Sequence, residues 1–430
     1  VWVALAKAQN KAGIVSEAQL KDLMAHMEEI DIPKAFELES VIHHDLMAEI
    51  KTYESQCPIG GGIIHLGCTS MDVLDNADAL RLRSSLDIII EETKTLLKAF
   101  IEKIKMWDDV PCMAFTHIQS AEVTTVGYRL ALVVQDLSVA LSSLEQARNS
   151  VKGKGFKGAV GSMASFDLLL EDSPIKTLEL EKIAMDDLDL PYFDGASKVY
   201  PRSQDLTIMQ SLDFLCCVLS KFALDFRMMQ STAIGEWSEP FGKNQVGSSA
   251  MPFKRNPINC EKVDSLCRYV HSLTSVSWEN NSVNILERTL DDSANRRLYL
   301  PQAFLSCDEI LITLTKVVKG MNIHEAAIKR NLTSYGVFAA TEKLLMATVK
   351  KGANRQKMHE IIRENSLKAW QCVQEGRENN LKELLSTDPE VLSFLSGDEV
   401  LSLLDASTYT GRATELAKII VHKVSLGFNI

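Results

Sequence analysis

A short stretch at residues 245–262, QVGSSAMPFKRNPINCEK, combines small, cationic and amide side chains and contains no acidic residue before its penultimate position. Ser248, Lys254 and Asn256 supply hydroxyl, ammonium and amide groups, all of which can donate hydrogen bonds. A helix predicted to begin near Asn259 would add backbone N–H groups that can meet an anion. The stretch is therefore suited to binding negative charge.

Two further turns have the same character. HLGCTSMD places Thr69 and Ser70 at a predicted helix start, and ERTLDDSANRR contains Arg288, Ser293 and Arg297. Ser293 and Arg297 are four residues apart, so they share a helical face. Three anion-suited places in a chain of net charge −11 indicate a small polyanionic ligand.

Long amphipathic helices must position these turns. From residue 82 onward apolar side chains recur at steps of three and four, which predicts one helix of roughly thirty residues, about 45 Å long. The apolar positions are Leu82, Leu86, Ile89, Ile90, Leu97, Phe100, Ile101 and Ile104. Similar patterns predict helices over about 120–150, 203–236 and 258–285. The expected fold class is all-α, a bundle of long helices.

Composition restricts the functional class. The 430 residues are 46% hydrophobic, which is enough for a large core. Net acidity argues against a nucleic-acid partner, because such domains usually carry a basic face. The longest obvious apolar run, Phe214–Leu219, is too short to span a bilayer, so no membrane association is expected. Nine cysteines without a C-x-x-C pair are interpreted as free thiols in a reducing compartment, and the expected location is the cytoplasm.

One glycine motif needs a structural reading. Gly153, Gly155 and Gly158 match G-x-G-x-x-G, which indicates a dinucleotide site only when a strand precedes it. The preceding segment, SLEQARNS, is predicted to be helical. A tight loop that needs glycine flexibility is therefore the better interpretation.

Breaks in the helical pattern divide the chain into three predicted parts. They are an N-terminal helical domain (1–72), a central long-helix bundle with the cationic loop (73–319) and a C-terminal helical domain (320–430). So elongated a bundle would expose much apolar surface alone, which favours self-association.

The motifs together resemble one enzyme family. GSSAMPFKRNP resembles the signature loop of the fumarase/aspartase superfamily, and THIQSAEVTT, HHDLMAEI, IIHLGCTS and LERTLDDSANRR resemble its adenylosuccinate lyase branch. The resemblance covers nearly the whole chain in order. It implies a homotetramer with each active site assembled from three subunits. It also implies elimination of fumarate from adenylosuccinate, giving AMP, and from the succinyl-aminoimidazole-carboxamide ribotide (SAICAR), giving AICAR.

The resemblance assigns catalytic roles. Ser248 would be the general base, activated by the positive field of the loop and by loop closure over substrate. His117 would be the general acid for the leaving nitrogen, since its type of side chain titrates near neutrality. Glu261 would orient His117. Elimination builds up a doubly charged carboxylate-like intermediate, so fixed donors must await that charge.

Substrate-binding roles follow in the same way. Thr69, Ser70, Lys254 and Asn256 would hold the succinyl carboxylates. His44 and Asp45 would form a substrate-binding pair. Arg288, Ser293 and Arg297 would bind the phosphate and ribose region, because forked guanidinium donors suit phosphate. Arg296 is expected to be a structural salt-bridge residue, and His65 to be structural.

Three further predicted binding residues depart from the family pattern. His43 stands where Arg is frequent, Lys198 where a substrate-binding Gln is expected, and Lys262 where some members carry Arg. These departures affect nucleotide contacts and leave the elimination residues in place.

Three hypotheses remain open from the sequence. They are the nucleotide lyase, the same chemistry on another amino-acid substrate as in argininosuccinate lyase, and a non-enzymatic relative with the same fold. The arginine and serine cluster speaks against the second, and retention of Ser248, His117 and Glu261 against the third. Asp291 and Asp292 form an acidic pair without nearby His or Cys. Neither a metal nor a cofactor is expected.

Overall fold

The computed structural model describes all residues from Val1 to Ile430. It is built almost entirely of helices, which confirms the all-α prediction. The first nine helices are α1 Trp2–Lys11, α2 Glu17–His26, α3 Ile32–Ile42, α4 Asp45–Gln56, α5 Ser70–Trp107, α6 Val126–Ser150, α7 Ala164–Leu169, α8 Thr177–Asp187 and α9 Ser203–Gln230. The other nine are α10 Ile258–Ser282, α11 Ser293–Gly320, α12 Glu325–Asn331, α13 Val337–Lys350, α14 Arg355–Gln374, α15 Leu381–Ser386, α16 Pro389–Leu392, α17 Gly397–Leu403 and α18 Ala413–Phe428.

The apolar periodicity of α5 correctly identifies its buried face. All eight apolar positions singled out from residue 82 onward are buried, each with less than a tenth of its surface exposed. Burying one such side chain stabilises the fold by about 1.5–3 kcal/mol, so packing secures this 38-residue helix more than helix propensity does.

Four short strands form two antiparallel pairs. Strands β1 (Pro111–Thr116) and β2 (Gln119–Thr125) form a hairpin, and β3 (Trp237–Ser238) pairs with β4 (Asn322–Ile323). The prediction of helix from about residue 120 is therefore wrong for 120–125, where β-branched Val123, Thr124 and Thr125 favour a strand. The predictions to 236 and 285 also run too far, because α9 ends at Gln230 and α10 at Ser282.

The chain forms two compact units. The first unit comprises Val1–Ile90, Ser143–Asp213 and Val270–Leu305, and the second comprises Glu91–Ser142, Phe214–Tyr269 and Ser306–Ile430. The three domains expected from sequence follow breaks in the helical pattern and stay a prediction.

The second unit contains a large apolar core around the β1–β2 hairpin. Met113 and Val123 of the hairpin belong to the same buried cluster as Val337, Ala340 and Leu344 of α13. Between α12 and α13 the backbone makes a π-helical turn, Leu332–Gly336. A Cβ on Gly336 would come within 2.8 Å of the Ala406 side chain, so this position needs glycine.

Helix α9 is by length and composition apolar enough to cross a membrane, with a mean hydropathy of 1.4 over its most apolar window. Half of that window is buried inside the fold. A core helix of a soluble protein passes the same test.

Candidate active site

The cationic loop, defined as residues 239–257, belongs to the second unit and has no regular secondary structure. Ser248 Oγ accepts a hydrogen bond from the backbone N–H of Met251 at 3.1 Å. A Cβ on Gly247 would lie 2.2 Å from the carbonyl oxygen of Lys254, so only glycine fits where the two arms of the loop meet. The side chain of Lys254 is exposed.

The start of α10, just after the cationic loop, already holds an anion. The carboxylate of Glu239 accepts hydrogen bonds from the backbone N–H groups of Asn259 (3.2 Å) and Cys260 (2.8 Å) and from the Asn259 side chain (2.7 Å). Glu239 is buried. The expectation that these backbone groups are open to an external anion is therefore wrong, because a carboxylate of the chain itself satisfies them.

Glu261 and Lys262 lie in the first turn of α10 and are both exposed. Lys262 Nζ donates to Glu309 Oε1 at 2.6 Å. This hydrogen bond holds the pKa of Glu309 below its ordinary value. Lys262 is thus paired within the second unit.

His117 lies at the tip of the β1–β2 hairpin. Thr116 pairs with Gln119, so His117 and Ile118 form a two-residue turn, with φ of 53° and 62°. Two positive φ values define a type I′ turn, which is costly for a β-branched residue such as Ile118. The side chain of His117 is exposed at this tip.

A partly buried ion pair supports the hairpin. Arg129 of α6 donates to the carbonyl oxygen of Met113 in β1 and, at 3.4 Å, to Glu236 Oε2. Glu236 is fully buried, and its Oε1 accepts a hydrogen bond from Asn331 at 2.9 Å. These contacts fix β1, and with it the strand that leads to His117.

In the first unit, His43, His44 and Asp45 occupy the junction between α3 and α4. His43 has a left-handed backbone (φ 54°) that ends α3, and the Nδ1 of His44 accepts from the N–H of Met47 at 3.3 Å. Asp45 Oδ2 accepts from Arg297 Nη2 at 2.6 Å. Burial raises the pKa of Asp45, but hydrogen bonds from the Leu46 backbone and Arg297 outweigh burial and lower it.

Thr69 and Ser70 stand at the start of α5, anchored by Asp72. Asp72 Oδ2 accepts from the Thr69 N–H at 2.9 Å, and Asp72 Oδ1 accepts from the Lys157 N–H at 3.0 Å and from Lys154 Nζ. Asp72 and Lys154 are fully buried.

The G-x-G-x-x-G motif thus serves to wrap the start of α5. It follows helix α6 and has no preceding strand, as the structural interpretation requires. Gly155 has φ of 82°, and a Cβ there would lie 2.1 Å from Glu181 Oε1.

His65 lies beside this turn and is half-buried. Its Nδ1 accepts a hydrogen bond from Trp2 Nε1 at 3.2 Å, which fits the structural role predicted for it. Burial lowers the pKa of His65.

Arg288 and Ser293 flank a carboxylate, Asp292. Arg288 Nη1 donates to Asp292 Oδ1, and Ser293 begins α11. Burial raises the pKa of Asp292, but the guanidinium groups of Arg202 and Arg288 outweigh burial and lower it. The backbone N–H of Lys198 donates to the carbonyl oxygen of Glu287 at 3.2 Å, next to Arg288 in the chain.

Within each unit the structure brings only some predicted residues together. Asp45 meets Arg297 in the first unit, and in the second unit Gly247, which precedes Ser248 in the chain, packs against the Lys254 carbonyl oxygen. His117 and Glu261 make no hydrogen bond with each other in the single chain.

The sequence interpretation missed a set of buried charges in the first unit. These charges share complete or nearly complete burial, and each has an ion-pair partner of opposite charge: Asp72, Asp75, Lys154, Lys157, Glu181, Arg202 and Asp205. Arg296, expected to be structural, indeed pairs with Asp205 at 2.7 Å. The available signal was the polar set Asp72, Asp75 and Asn76 on the face that is apolar farther along α5.

The overall fold matches solved lyases. The protein superimposes on a fumarate lyase from Mesorhizobium sp. BNC1 with a TM-score of 0.85 and 22% identity, covering 98% of this chain and 93% of that one. It superimposes on a 3-carboxy-cis,cis-muconate lactonizing enzyme from Pseudomonas putida with a TM-score of 0.86 and 23% identity, covering 100% and 93%. Residues 1–271 match the family model described as Lyase. The fold and the family model define an enzyme of the fumarase/aspartase superfamily.

More specific matches identify the branch. Residues 338–419 match the model described as adenylosuccinate lyase C-terminus. The chain is 38% identical to adenylosuccinate lyase of Schizosaccharomyces pombe and 38% identical to that of Saccharomyces cerevisiae, in each case over 98% of this chain and 88% of the relative. It is 35% identical to that of Pyrococcus abyssi, over 99% and 92%. The chain belongs to the adenylosuccinate lyase family. It is a carbon–nitrogen lyase of purine nucleotide biosynthesis.

Proposed function

We propose that this enzyme removes fumarate from adenylosuccinate to give AMP, and from SAICAR to give AICAR. In each reaction a C–H bond and the C–N bond of the succinyl group break, the C=C bond of fumarate forms, and the amino group leaves with a proton. The observation that carries the proposal is family membership together with the complete GSSAMPFKRNP loop.

Ser248 is the general base of the proposal. Its hydroxyl is held by the Met251 N–H in a loop that carries Lys254 and Arg255 and no acidic residue between Glu239 and Glu261. A positive environment lowers the cost of forming a serine alkoxide. Because the loop has few internal hydrogen bonds, it can close over a substrate and tighten this environment.

His117 is the general acid of the proposal, and Glu261 orients it. The hairpin tip projects His117 into solvent, while Arg129 and Glu236 hold the strand beneath it. His117 and Glu261 of one chain are not bonded. We therefore propose that they meet across a subunit interface, as expected for an active site assembled from several chains.

Carboxylate and nucleotide contacts complete the proposed site. Thr69, Ser70, Lys254 and Asn256 receive the succinyl carboxylates. Arg288, Ser293 and Arg297 receive the phosphate and ribose region, with His43, His44, Asp45, Lys198 and Lys262 lining the substrate. Lys198 and Lys262 are positive where uncharged Gln or forked Arg is frequent in the family, so they are expected to change affinity more than chemistry.

We propose a homotetramer in the cytoplasm. The long helices expose large apolar side chains, which in a helix bundle indicates burial against other subunits. These are Leu132 and Val139 of α6, Leu224 of α9, Trp278 of α10, and Leu298 and Leu305 of α11. All nine cysteines are free thiols, as suits a reducing compartment.

The test is fumarate release from adenylosuccinate, followed by absorbance, for Ser248→Ala and Ser249→Ala. Removing a general base lowers kcat by about 100-fold or more, whereas the neighbouring hydroxyl serves as the matched control. An active Ser248→Ala enzyme would refute the assignment of the base. A wild-type enzyme inactive on both succinyl nucleotides would refute the substrate proposal.

A further inference from the structure

Asp292 is a carboxylate to which neither the sequence motifs nor the elimination chemistry assigns a task. Its Oδ1 accepts from Arg288 Nη1, and its Oδ2 accepts from Arg202 Nε at 2.7 Å. Only 4% of the Asp292 side chain and 12% of the Arg288 side chain are exposed. One carboxylate thus joins a fully buried arginine to one that is partly open to solvent.

Arg202 also contacts two residues other than Asp292. Its Nη1 donates to Asp75 Oδ1 at 3.1 Å, and its guanidinium lies 4.7 Å from the centre of the Tyr200 ring. Asp75 is fully buried on α5 and also accepts from the Tyr200 backbone N–H at 2.8 Å. We call the series Asp75, Arg202, Asp292 and Arg288 the Arg–Asp network. It runs from the buried face of α5 to Arg288.

The segment that carries Arg288 has little other support. Residues 283–292 form no helix or strand. Backbone bonds tie the ends of the segment to the neighbouring helices, from the Val283 N–H to Glu279 and from the Ser293 and Arg296 N–H groups to Leu290 and Asp292. Between these ends it has two anchors, the bond from the Lys198 N–H to the Glu287 carbonyl oxygen (3.2 Å) and the bond from the Thr289 N–H to Asn284 Oδ1 (3.3 Å). Both anchors hold the backbone. The guanidinium of Arg288 is fixed by Asp292.

We propose that Asp292 is a positioning residue for recognition of the substrate phosphate. The inference rests on the proposed role of Arg288 in binding that phosphate. Asp292 uses one Nη1–H of Arg288 and leaves the other guanidinium donors for phosphate oxygens. Arg202 offsets the negative charge of Asp292, so Arg288 keeps its attraction for a dianion. A guanidinium held in advance loses less side-chain entropy when the phosphate binds.

The test compares adenylosuccinate with its dephosphorylated nucleoside, using Asp292→Asn. We expect kcat/KM for the nucleotide to fall about 10-fold or more, mainly through KM, with the nucleoside within about 2-fold of wild type. The matched control is Asp205→Asn, because Asp205 is equally buried but bonds Arg296 and Tyr200 instead of Arg288. Its nucleotide-to-nucleoside ratio should stay at the wild-type value.

Arg288→Gln separates the inference from the function on which it rests. We expect this variant to lower the nucleotide-to-nucleoside ratio of kcat/KM as Asp292→Asn does. The double variant with Asp292→Asn should lower this ratio no further than the worse single variant, because the two residues act as a unit. If Arg288→Gln leaves the nucleotide-to-nucleoside ratio at the wild-type value, the phosphate role of Arg288 is refuted. If Arg288→Gln lowers the ratio and Asp292→Asn leaves it at the wild-type value, the positioning role alone is refuted.

Asp292→Glu covers the case in which Asp292→Asn does not fold. It keeps the charge while moving the carboxylate by about one methylene, so it should reduce the ratio in a folded enzyme. A wild-type ratio in Asp292→Glu, or equal losses on both substrates, would overturn the inference.

Discussion

The Arg–Asp network and the cationic loop are both proposed to bind negative charge of the substrate, yet they are built in opposite ways. In the network, carboxylates pair with guanidinium groups, and Arg202 has only 1% of its side chain exposed. In the loop, Lys254 is exposed, and the Ser248 side chain is held by a single hydrogen bond, from the Met251 N–H. The difference supports the proposal that phosphate recognition uses charges fixed in advance, whereas the elimination uses charges on a loop that can rearrange.

The two constructions also differ in energetics. Buried charges must be paired, because each unpaired charge costs several kcal/mol of folding free energy. An exposed loop carries no such penalty and can rearrange at little cost to stability. Substitutions in the network should therefore act on stability and affinity, and substitutions in the loop on turnover.

Arg202→Met should have the largest effect on stability. It leaves Asp75 and Asp292 without their shared partner and should lower the free energy of unfolding by about 3–5 kcal/mol, as measured by denaturant titration. The matched control is Arg148→Met, because Arg148 pairs with Asp87 where the two side chains are 36% and 49% exposed. That change should cost less than about 1 kcal/mol. Equal losses of unfolding free energy in the two variants would show that burial of the network does not make its ion pairs more important for stability.

Gly247→Ala should lower turnover and leave stability almost unchanged, the opposite of Arg202→Met. Its Cβ meets the Lys254 carbonyl oxygen at 2.2 Å and forces the loop arms apart. We expect kcat to fall about 10- to 100-fold while the melting temperature stays within about 2 °C of wild type. Gly242→Ala is the control in the same loop, since its nearest atom would lie 3.8 Å away. A large loss of melting temperature in Gly247→Ala would contradict the contrast.

Asp45→Asn probes an ion pair of intermediate exposure. Asp45 and Arg297 have side chains 35% and 63% exposed, so the pair should contribute less than about 1 kcal/mol to stability. If Arg297 contacts substrate, KM should nevertheless rise several-fold. Glu399→Gln, which removes the exposed partner of Lys351, should match the small stability change without affecting KM.

The pKa of Glu92 is shifted in the opposite direction to that of Asp292. Burial and the neighbouring Asp308 raise its pKa from 4.5 to about 7, so folding favours the protonated form. That stabilisation is complete below pH 4.5 and is lost as the pH rises through 7. Glu92→Gln should therefore raise the melting temperature at pH 8 relative to wild type and leave it unchanged near pH 4.5. An equal shift at both pH values would exclude titration of Glu92 as the cause.

Local sequence patterns predicted much of the helical structure. The three-and-four spacing from Leu82 to Ile104 identified the buried face of α5, because a helix buries residues that recur near its 3.6-residue period. The same periodicity failed at 120–125, where the pairing of β2 with β1 overrides an ambiguous local pattern. No local pattern predicted the π-helical turn at Leu332–Gly336.

The sequence predicted which residues belong to the candidate site better than it predicted which contacts they make. The motifs named Ser248, His117 and Arg288 because their types and their order in the chain match the family. The motifs could not show that Glu239 occupies the start of α10, because residues 20 and 21 positions apart meet only after the chain has folded. The bond between Asp45 and Arg297 joins residues still farther apart in sequence.

The amino-acid sequence by itself determined the long helices, the family and the cationic character of the loop, since periodicity, motif order and charge are properties of the chain. Tertiary structure decided which charges are paired and which are open. Asp75, Arg202 and Asp292 come from three distant segments, and only packing of those segments removes water from them. Burial makes their pairing obligatory, whereas the exposed loop stays in water and keeps its charges available.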